Sequence, residues 1–205
     1  RLSTQLARGS SDDVRLRLYD GGEQAFVHAG AGQVALTVNS ARVWLAREDG
    51  STPPLLLDPA QRALQTLQAT ADGATIAFTE NLAPPSRLWA LPSNGSAPAK
   101  LLATDLARFD AFALTADGTR AVYRSAAGLR STPLAAANRI TLMSGDVQGF
   151  VLTRDGTRAV YVGHPTLAEY VVGVVPIDGS APALELARTP NYPALLPVAD
   201  GSRLV

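Results

Sequence analysis

Apolar positions in this chain of 205 residues fall in short runs broken by turn residues, and the runs recur. In ATADGATIAFTE, LTADGTRAVYRS and LTRDGTRAVYVG an Asp-Gly pair (Asp72-Gly73, Asp117-Gly118, Asp155-Gly156) separates two apolar runs, and PVADGSRLV repeats it at Asp200-Gly201. The intervals are 45, 38 and 45 residues. A degenerate copy, HAGAGQVALTVN, aligns Gly30 with Asp72 and Val34-Ala35-Leu36 with Ile76-Ala77-Phe78, 42 residues upstream. Asp-Gly between alternating apolar runs predicts a hairpin, because Gly takes positive φ cheaply and the Asp carboxylate bonds the amides of its own turn. After the turns, Ile76 and Phe78 oppose Ala77, Ala121 and Tyr123 oppose Val122, and Ala159 and Tyr161 oppose Val160. Strands that are apolar on both faces imply sheets stacked between neighbours, since a sheet with one wet face alternates apolar with polar.

A second turn follows in three copies: Asp49-Gly50-Ser51, Asn94-Gly95-Ser96 and Asp178-Gly179-Ser180. Between the turns run RVWLA, RLWAL and YVVGVVPI, and after the second come PLLL, AKLLA and ALELA. Each copy therefore predicts four strands, A to D, with Pro53, Pro98 and Pro182 opening strand D, where a residue without an N–H is tolerated at an edge. This is the pattern of an all-β propeller built from four-stranded antiparallel blades. The expected single domain spans 1–205, with blades at about 24–58, 64–103, 109–143 and 148–187 and with 1–18 and 192–205 as half-blades. The third copy, LRSTPLAAANRITLM, has Asn138 but no Gly in its second turn, and trimming is expected on its outer strands. If the half-blades join, five blades of about 41 residues close a ring; otherwise the chain is a fragment of a larger one.

Composition narrows the chemistry. Lys plus Arg and Asp plus Glu each total 18, so no net charge steers the chain to nucleic acid. Every basic residue but Lys100 is Arg, which with the abundant Ala suggests a GC-rich bacterial genome. Without Cys there are no disulfides, thiolate nucleophiles or cysteine metal sites. No apolar run approaches the roughly 18 residues of a spanning helix. A chain that does not span the membrane, and is monomeric, is expected.

An apolar strand, an Asp-Gly turn, Arg-Ala-Val-Tyr, a Trp-containing strand and Asp-Gly-Ser-x-Pro together resemble the TolB-like propeller repeats of bacterial envelope proteins, over nearly all of the chain. The resemblance implies a propeller in the periplasm or outside the cell. Similar blades occur in periplasmic scaffolds, in propellers that gate prolyl-oligopeptidase-type peptidases, and in some sugar lyases. Within residues 1–205 the pattern leaves no room for an α/β domain of the TolB kind, so a role like TolB's own is not what the resemblance leads one to expect.

In a blade of this connectivity the A–B and C–D turns share one rim, and the longer B–C and D–A loops share the other, where binding residues concentrate on a rigid scaffold. The D–A loops bring Arg62, Arg108, Asp110, Asp146, Gln148, Asn191 and Tyr192 toward the mouth of the channel. His164 and Glu169 fall in a B–C loop, and His28 lies on an inner strand as a packed or channel-lining residue. Trp44 and Trp89 hold equivalent places on strand C, as interblade packing. There is no G-x-S-x-G elbow, H-E-x-x-H, phosphate loop or repeated calcium signature, and the turn aspartates read as structural. No catalytic residue, metal or cofactor is assigned. The expected function is a non-catalytic binding or scaffold module whose loop face takes a protein or carbohydrate. The alternatives are the gating propeller of a larger hydrolase, and a propeller lyase using Asp110, His164 and Glu169.

Overall fold

A computed structural model describes residues 5–8, 14–17, 26–29, 32–38, 42–60, 62–80, 85–107, 112–136, 138–166, 168–193 and 195, and every regular element among them is a strand. β1 (Gln5–Arg8) pairs antiparallel with β2 (Val14–Arg17). Blade 1 is β3 (Phe26–His28), β4 (Gln33–Val38), β5 (Arg42–Arg47) and β6 (Leu55–Asp58), in that order across the sheet. Blade 2 is β7 (Leu64–Ala69), β8 (Thr75–Glu80), β9 (Ser86–Pro92) and β10 (Lys100–Leu106). Blade 3 is β11 (Phe112–Leu114), β12 (Arg120–Ser125), β13 (Gly128–Pro133) and β14 (Ile140–Ser144); blade 4 is β15 (Val147–Leu152), β16 (Arg158–Thr166), β17 (Glu169–Pro176) and β18 (Leu184–Thr189). All pairings are antiparallel between sequence neighbours, except that Leu106 of blade 2 pairs with Ser125 of blade 3. Through that single pair the strands of blades 2 and 3 are continuous as one eight-stranded sheet.

The Asp-Gly turns form for the reason expected, with a reinforcement from a threonine two residues earlier. The hydroxyls of Thr70, Thr115 and Thr153 donate to Asp72, Asp117 and Asp155 at 2.6, 2.5 and 2.6 Å, and accept the N–H of Thr75, Arg120 and Arg158. Gly73, Gly118 and Gly156 take φ of 69°, 67° and 68°. In blade 1 the turn is one residue tighter: Ala29 N–H reaches Gln33, four residues on, where Thr70 N–H reaches Thr75, five on.

Blade 3 keeps all four strands, and part of its shortening falls on the outer ones as expected, β13 and β14 having six and five residues against seven and seven in β9 and β10 and eight and six in β17 and β18. Only Ala126 and Ala127 separate β12 from β13, and a Cβ on Gly128, at φ 138°, would run into the Met143 carbonyl. The outer β14 is five residues long, against four in β6.

The alternating faces become interblade cores. Ile76 and Phe78 pack toward blade 1 with Val43, Leu45 and Leu57. Ala77, on the opposite face of the same strand, joins Leu102, Phe112, Ala121 and Tyr123 between blades 2 and 3. Val122 in turn joins Leu142, Val147, Ala159 and Tyr161 between blades 3 and 4. Phe78 and Tyr123 are fully buried, each worth about 1.5–3 kcal/mol of removed apolar surface. The inner strands touch as well: β7 lies against β3 on one side and β11 on the other. The Gln68 amide ties β7 to β11, donating to Phe112 O at 3.1 Å and accepting Leu114 N–H at 3.2 Å.

Each outer strand carries a β-bulge that leaves one leucine without a cross-strand partner: Leu57, Leu102, Leu142 and Leu186. A bulge re-aims the side chain it displaces. The first three point into the three interblade cores.

Candidate functional site

On blade 4 several of the residues singled out in the sequence meet at the loop rim. β14 ends at Ser144, and Gly145, at φ 108°, turns the chain so that Asp146 immediately precedes β15. The Asp146 carbonyl accepts the His164 N–H at 2.8 Å, its carboxylate accepts the Gln148 amide at 2.6 Å, and His164 Nδ1 stands 3.8 Å from the same carboxylate oxygen. Arg124, reaching over from blade 3, donates to Val147 O at 3.0 Å and also to Gln148 O. Blade 3 thus helps hold the backbone that presents Asp146.

His164 lies within β16, which runs on to Thr166, and Glu169 opens β17. The loop expected around these residues is instead an extension of the hairpin, irregular between Gly163 and Thr166. The extension stacks the His164 ring on Tyr170, centroids 4.3 Å apart and planes 13° from parallel, and Tyr192 meets Tyr170 edge-on at 5.4 Å. His164 and Glu169, paired in the lyase reading, take different partners: His164 faces Asp146, and Glu169 binds Arg188 at 3.3 Å. Arg188 also forks onto Glu185 at 2.7 and 2.8 Å. The Glu185 hydrogen bonds, then that to Glu169, hold its guanidinium more firmly protonated than usual. The Asn191 N–H bonds the Thr189 hydroxyl, closing the turn that brings Tyr192 back over the blade.

Tyr192 is 55% exposed and the Asp146 side chain 57%, so this cluster offers an aromatic surface beside an accessible carboxylate and amide. Such a surface can stack on a flat or apolar group while orienting a donor. Tyr170 was not singled out from the sequence; the signal available was its place at the foot of strand C, across the β16–β17 hairpin from His164.

Arg62 behaves differently. Its Nε donates to Asp58 at 2.8 Å, its guanidinium carbon sits 3.8 Å above the Trp89 ring, and it approaches Glu80 at 3.7 Å, while the Trp89 indole N–H donates to the same Glu80 oxygen at 2.9 Å. Asp58 and Glu80 are buried. The group is a clasp between blades 1 and 2. Trp44 packs beside Val34, Leu36 and Ala46 on the opposite side of blade 1. Arg108 and Asp110 lie outside the described residues, as does the side chain of His28. Among the described residues no group of three or more His, Cys, Asp or Glu is placed to hold a metal, and no helix is long and apolar enough to cross a membrane.

No family model matches the chain, and no curated protein matches it. Solved structures do. A putative TolB from Agrobacterium tumefaciens superposes with a TM-score of 0.54 at 16% identity, covering 84% of this chain and 65% of the other. The fold is a TolB-type β-propeller. The chain spans just under two thirds of that TolB's length. The tricorn protease gives a TM-score of 0.58 at 11% identity over 84% of the propeller, which matches 19% of the protease chain. A nidogen/laminin complex gives 0.55 at 14% identity, over 95% of the propeller and 72% of the matched chain. At these identities the likeness is one of fold, and the site must be argued from its own residues.

Proposed function

We propose that the propeller is a non-catalytic binding module whose loop rim on blade 4 docks a partner protein. The observation that carries this reading is the exposed Tyr192 ring at the end of the His164–Tyr170–Tyr192 aromatic cluster, beside the exposed Asp146 and Gln148, over a backbone that Arg124 of blade 3 helps hold. Exposed aromatics on a rigid frame bind at low entropic cost, since few rotors must be fixed. The nidogen/laminin structure shows a fold of this kind within a protein–protein complex, which supports a protein as the partner; a carbohydrate is the other ligand with chemistry suited to an aromatic surface with an adjacent carboxylate. An envelope location goes with the TolB-type fold, and the working architecture is a ring of five blades in which 1–18 and 192–205 complete one.

The likeness to the tricorn protease favours a second reading, a propeller that controls access to an active site elsewhere in a longer chain. The two separate experimentally. Extracts of the source organism's envelope are passed over immobilised protein, comparing the natural sequence with Tyr192→Ala and with Arg154→Ala on the opposite rim. A protein retained by the first and third but not by the second supports docking on blade 4. Retention indifferent to Tyr192 sinks it, and peptidase activity travelling with the natural protein would favour the gating reading.

A further inference from the structure

Asp58, Glu80, Asp105, Glu169 and Glu185 lie outside the tight turns, and each has an arginine beside it, the nearest at 2.8, 3.7, 2.9, 3.3 and 2.7 Å. Asp146 has none among the described residues. One of its oxygens accepts the neutral Gln148 amide and stands 3.8 Å from His164 Nδ1. The arginines of this rim are turned to other acceptors: Arg124 donates to the Val147 and Gln148 carbonyls, and Arg188 to Glu169 and Glu185. Asp146, Glu169 and Glu185 outnumber those two arginines by one, so with His164 neutral the rim attracts a cation.

We propose that the rim of blade 4 is a guanidinium site, filled by an arginine side chain of the docked partner, which pairs with Asp146 and lies along the Tyr192 ring. The proposal rests on the docking reading and names the chemistry that the rim selects. The clasp between blades 1 and 2 is the same arrangement completed from within the chain: Arg62 donates to Asp58 at 2.8 Å while its guanidinium carbon lies 3.8 Å over the Trp89 ring. At the rim the carboxylate and the ring are present and the guanidinium is the part still to be supplied. One strand brings the two together. Asp146 immediately precedes β15, and the Tyr192 hydroxyl lies over Gly149, three residues on, where a Cβ would meet it at 3.0 Å. The bare glycine is what admits the tyrosine. Arginine fits better than lysine, because its planar fork pairs with a carboxylate and its flat face stacks on an aromatic ring, whereas an ammonium is a point charge held by its water.

The probe is an acetylated glycyl-arginyl-glycine amide, compared with its lysine and citrulline counterparts, the last keeping the shape of arginine without the charge. NMR of the whole chain follows the Gln148 side-chain amide and the Tyr192 ring as each peptide is added. The expected result is a saturable shift of both signals by the arginine peptide, binding about tenfold weaker for lysine, and none for citrulline. Asp146→Asn removes the charge while keeping an acceptor for the Gln148 amide, and it should weaken the arginine peptide by about tenfold; Asp178→Asn, on the opposite rim, should change nothing. Equal affinity for lysine, affinity that survives Asp146→Asn or Tyr192→Ala, or the absence of a saturable shift each overturns the proposal. The immobilised protein separates this failure from that of the docking reading. A protein held through Tyr192 and released by arginine amide, but not by lysine amide at the same ionic strength, supports both. Retention through Tyr192 that arginine amide does not reverse overturns the guanidinium site and leaves docking in place. Peptide binding at Asp146 with retention indifferent to Tyr192 keeps the guanidinium site and sinks docking.

Discussion

The clasp between blades 1 and 2 and the rim of blade 4 are made of the same kinds of residue. One brings Asp58, Glu80, Arg62, Arg87 and Trp89 together; the other brings Asp146, Gln148, His164, Tyr170 and Tyr192 together. They differ in what is left over. In the clasp, Asp58 and Glu80 are buried, the Arg62 side chain is 17% exposed, and each charged group has an opposite charge within 4 Å. In the rim the carboxylate and the last tyrosine face water. Buried charges that satisfy one another hold a structure in register, whereas an exposed aromatic beside a carboxylate has surface to offer a partner. Residue type alone does not separate these roles; burial and pairing do.

The largest test of this contrast is Glu80→Ala. It leaves Arg62 and Arg87 without that carboxylate and strips the Trp89 indole N–H of its acceptor. Breaking such a buried set costs about 3 kcal/mol, whereas Asp146→Ala at the exposed rim should stay within about 0.5 kcal/mol. Urea unfolding of the two variants measures both. Equal effects would erase the distinction between clasp and rim.

Gln68→Ala comes next. Its amide satisfies the Phe112 carbonyl and the Leu114 N–H of the neighbouring inner strand, so removal leaves two backbone groups short of a partner, at about 1–3 kcal/mol. Amide hydrogen exchange at Leu114 should speed up with it. If Leu114 stays as protected as before, the side chain is not what joins β7 to β11.

Acid should weaken the hairpins in a predictable sense. Hydrogen bonds from the Thr70 and Thr115 hydroxyls first, and then from turn amides, hold the Asp72 and Asp117 carboxyls below the usual range; Thr153 and the Thr157 amide hold Asp155 at about 2. A carboxylate whose folded pKa is depressed stabilises the fold above its unfolded value, and that contribution disappears as pH falls through the folded one. Stability should therefore decline from roughly pH 4 toward pH 2, and more shallowly in Asp155→Asn. An unchanged slope in that variant would mean that the turn carboxylate is not linked to folding.

How much of this could be read from the sequence depends on the range of the interaction. The hairpins and their opposed faces were legible because Asp-Gly and the alternation of Ile76, Ala77 and Phe78 are local signals. Threonine two residues before Asp72, Asp117 and Asp155 is just as local, but its role appears only once its hydroxyl is seen bonding across the turn. Arg62 could not be sorted from the other loop candidates, because Trp89 and Glu80 lie 27 and 18 residues away in sequence and belong to the next blade. The segment GHPTLAE reads as a B–C loop holding His164, yet β16 runs through His164 and Pro165 to Thr166. Pairing with β17 stops at Gly163 and resumes at Thr166, so the proline falls where no ladder bond is needed.

The smallest expected change in stability is the most informative about function. Tyr192 is 55% exposed and touches Tyr170 by its edge, so Tyr192→Ala should shift the urea midpoint by less than about 0.5 kcal/mol equivalent. An aromatic anchor at the centre of an interface, by contrast, costs about 2 kcal/mol or more when truncated, close to a thirtyfold loss of affinity. The two quantities must be measured on the same protein: unfolding by urea, and retention of the captured partner. Loss of binding with stability intact makes the rim of blade 4 a docking surface, and parallel loss of both would reduce Tyr192 to a prop for its neighbours, like Trp89 in the clasp.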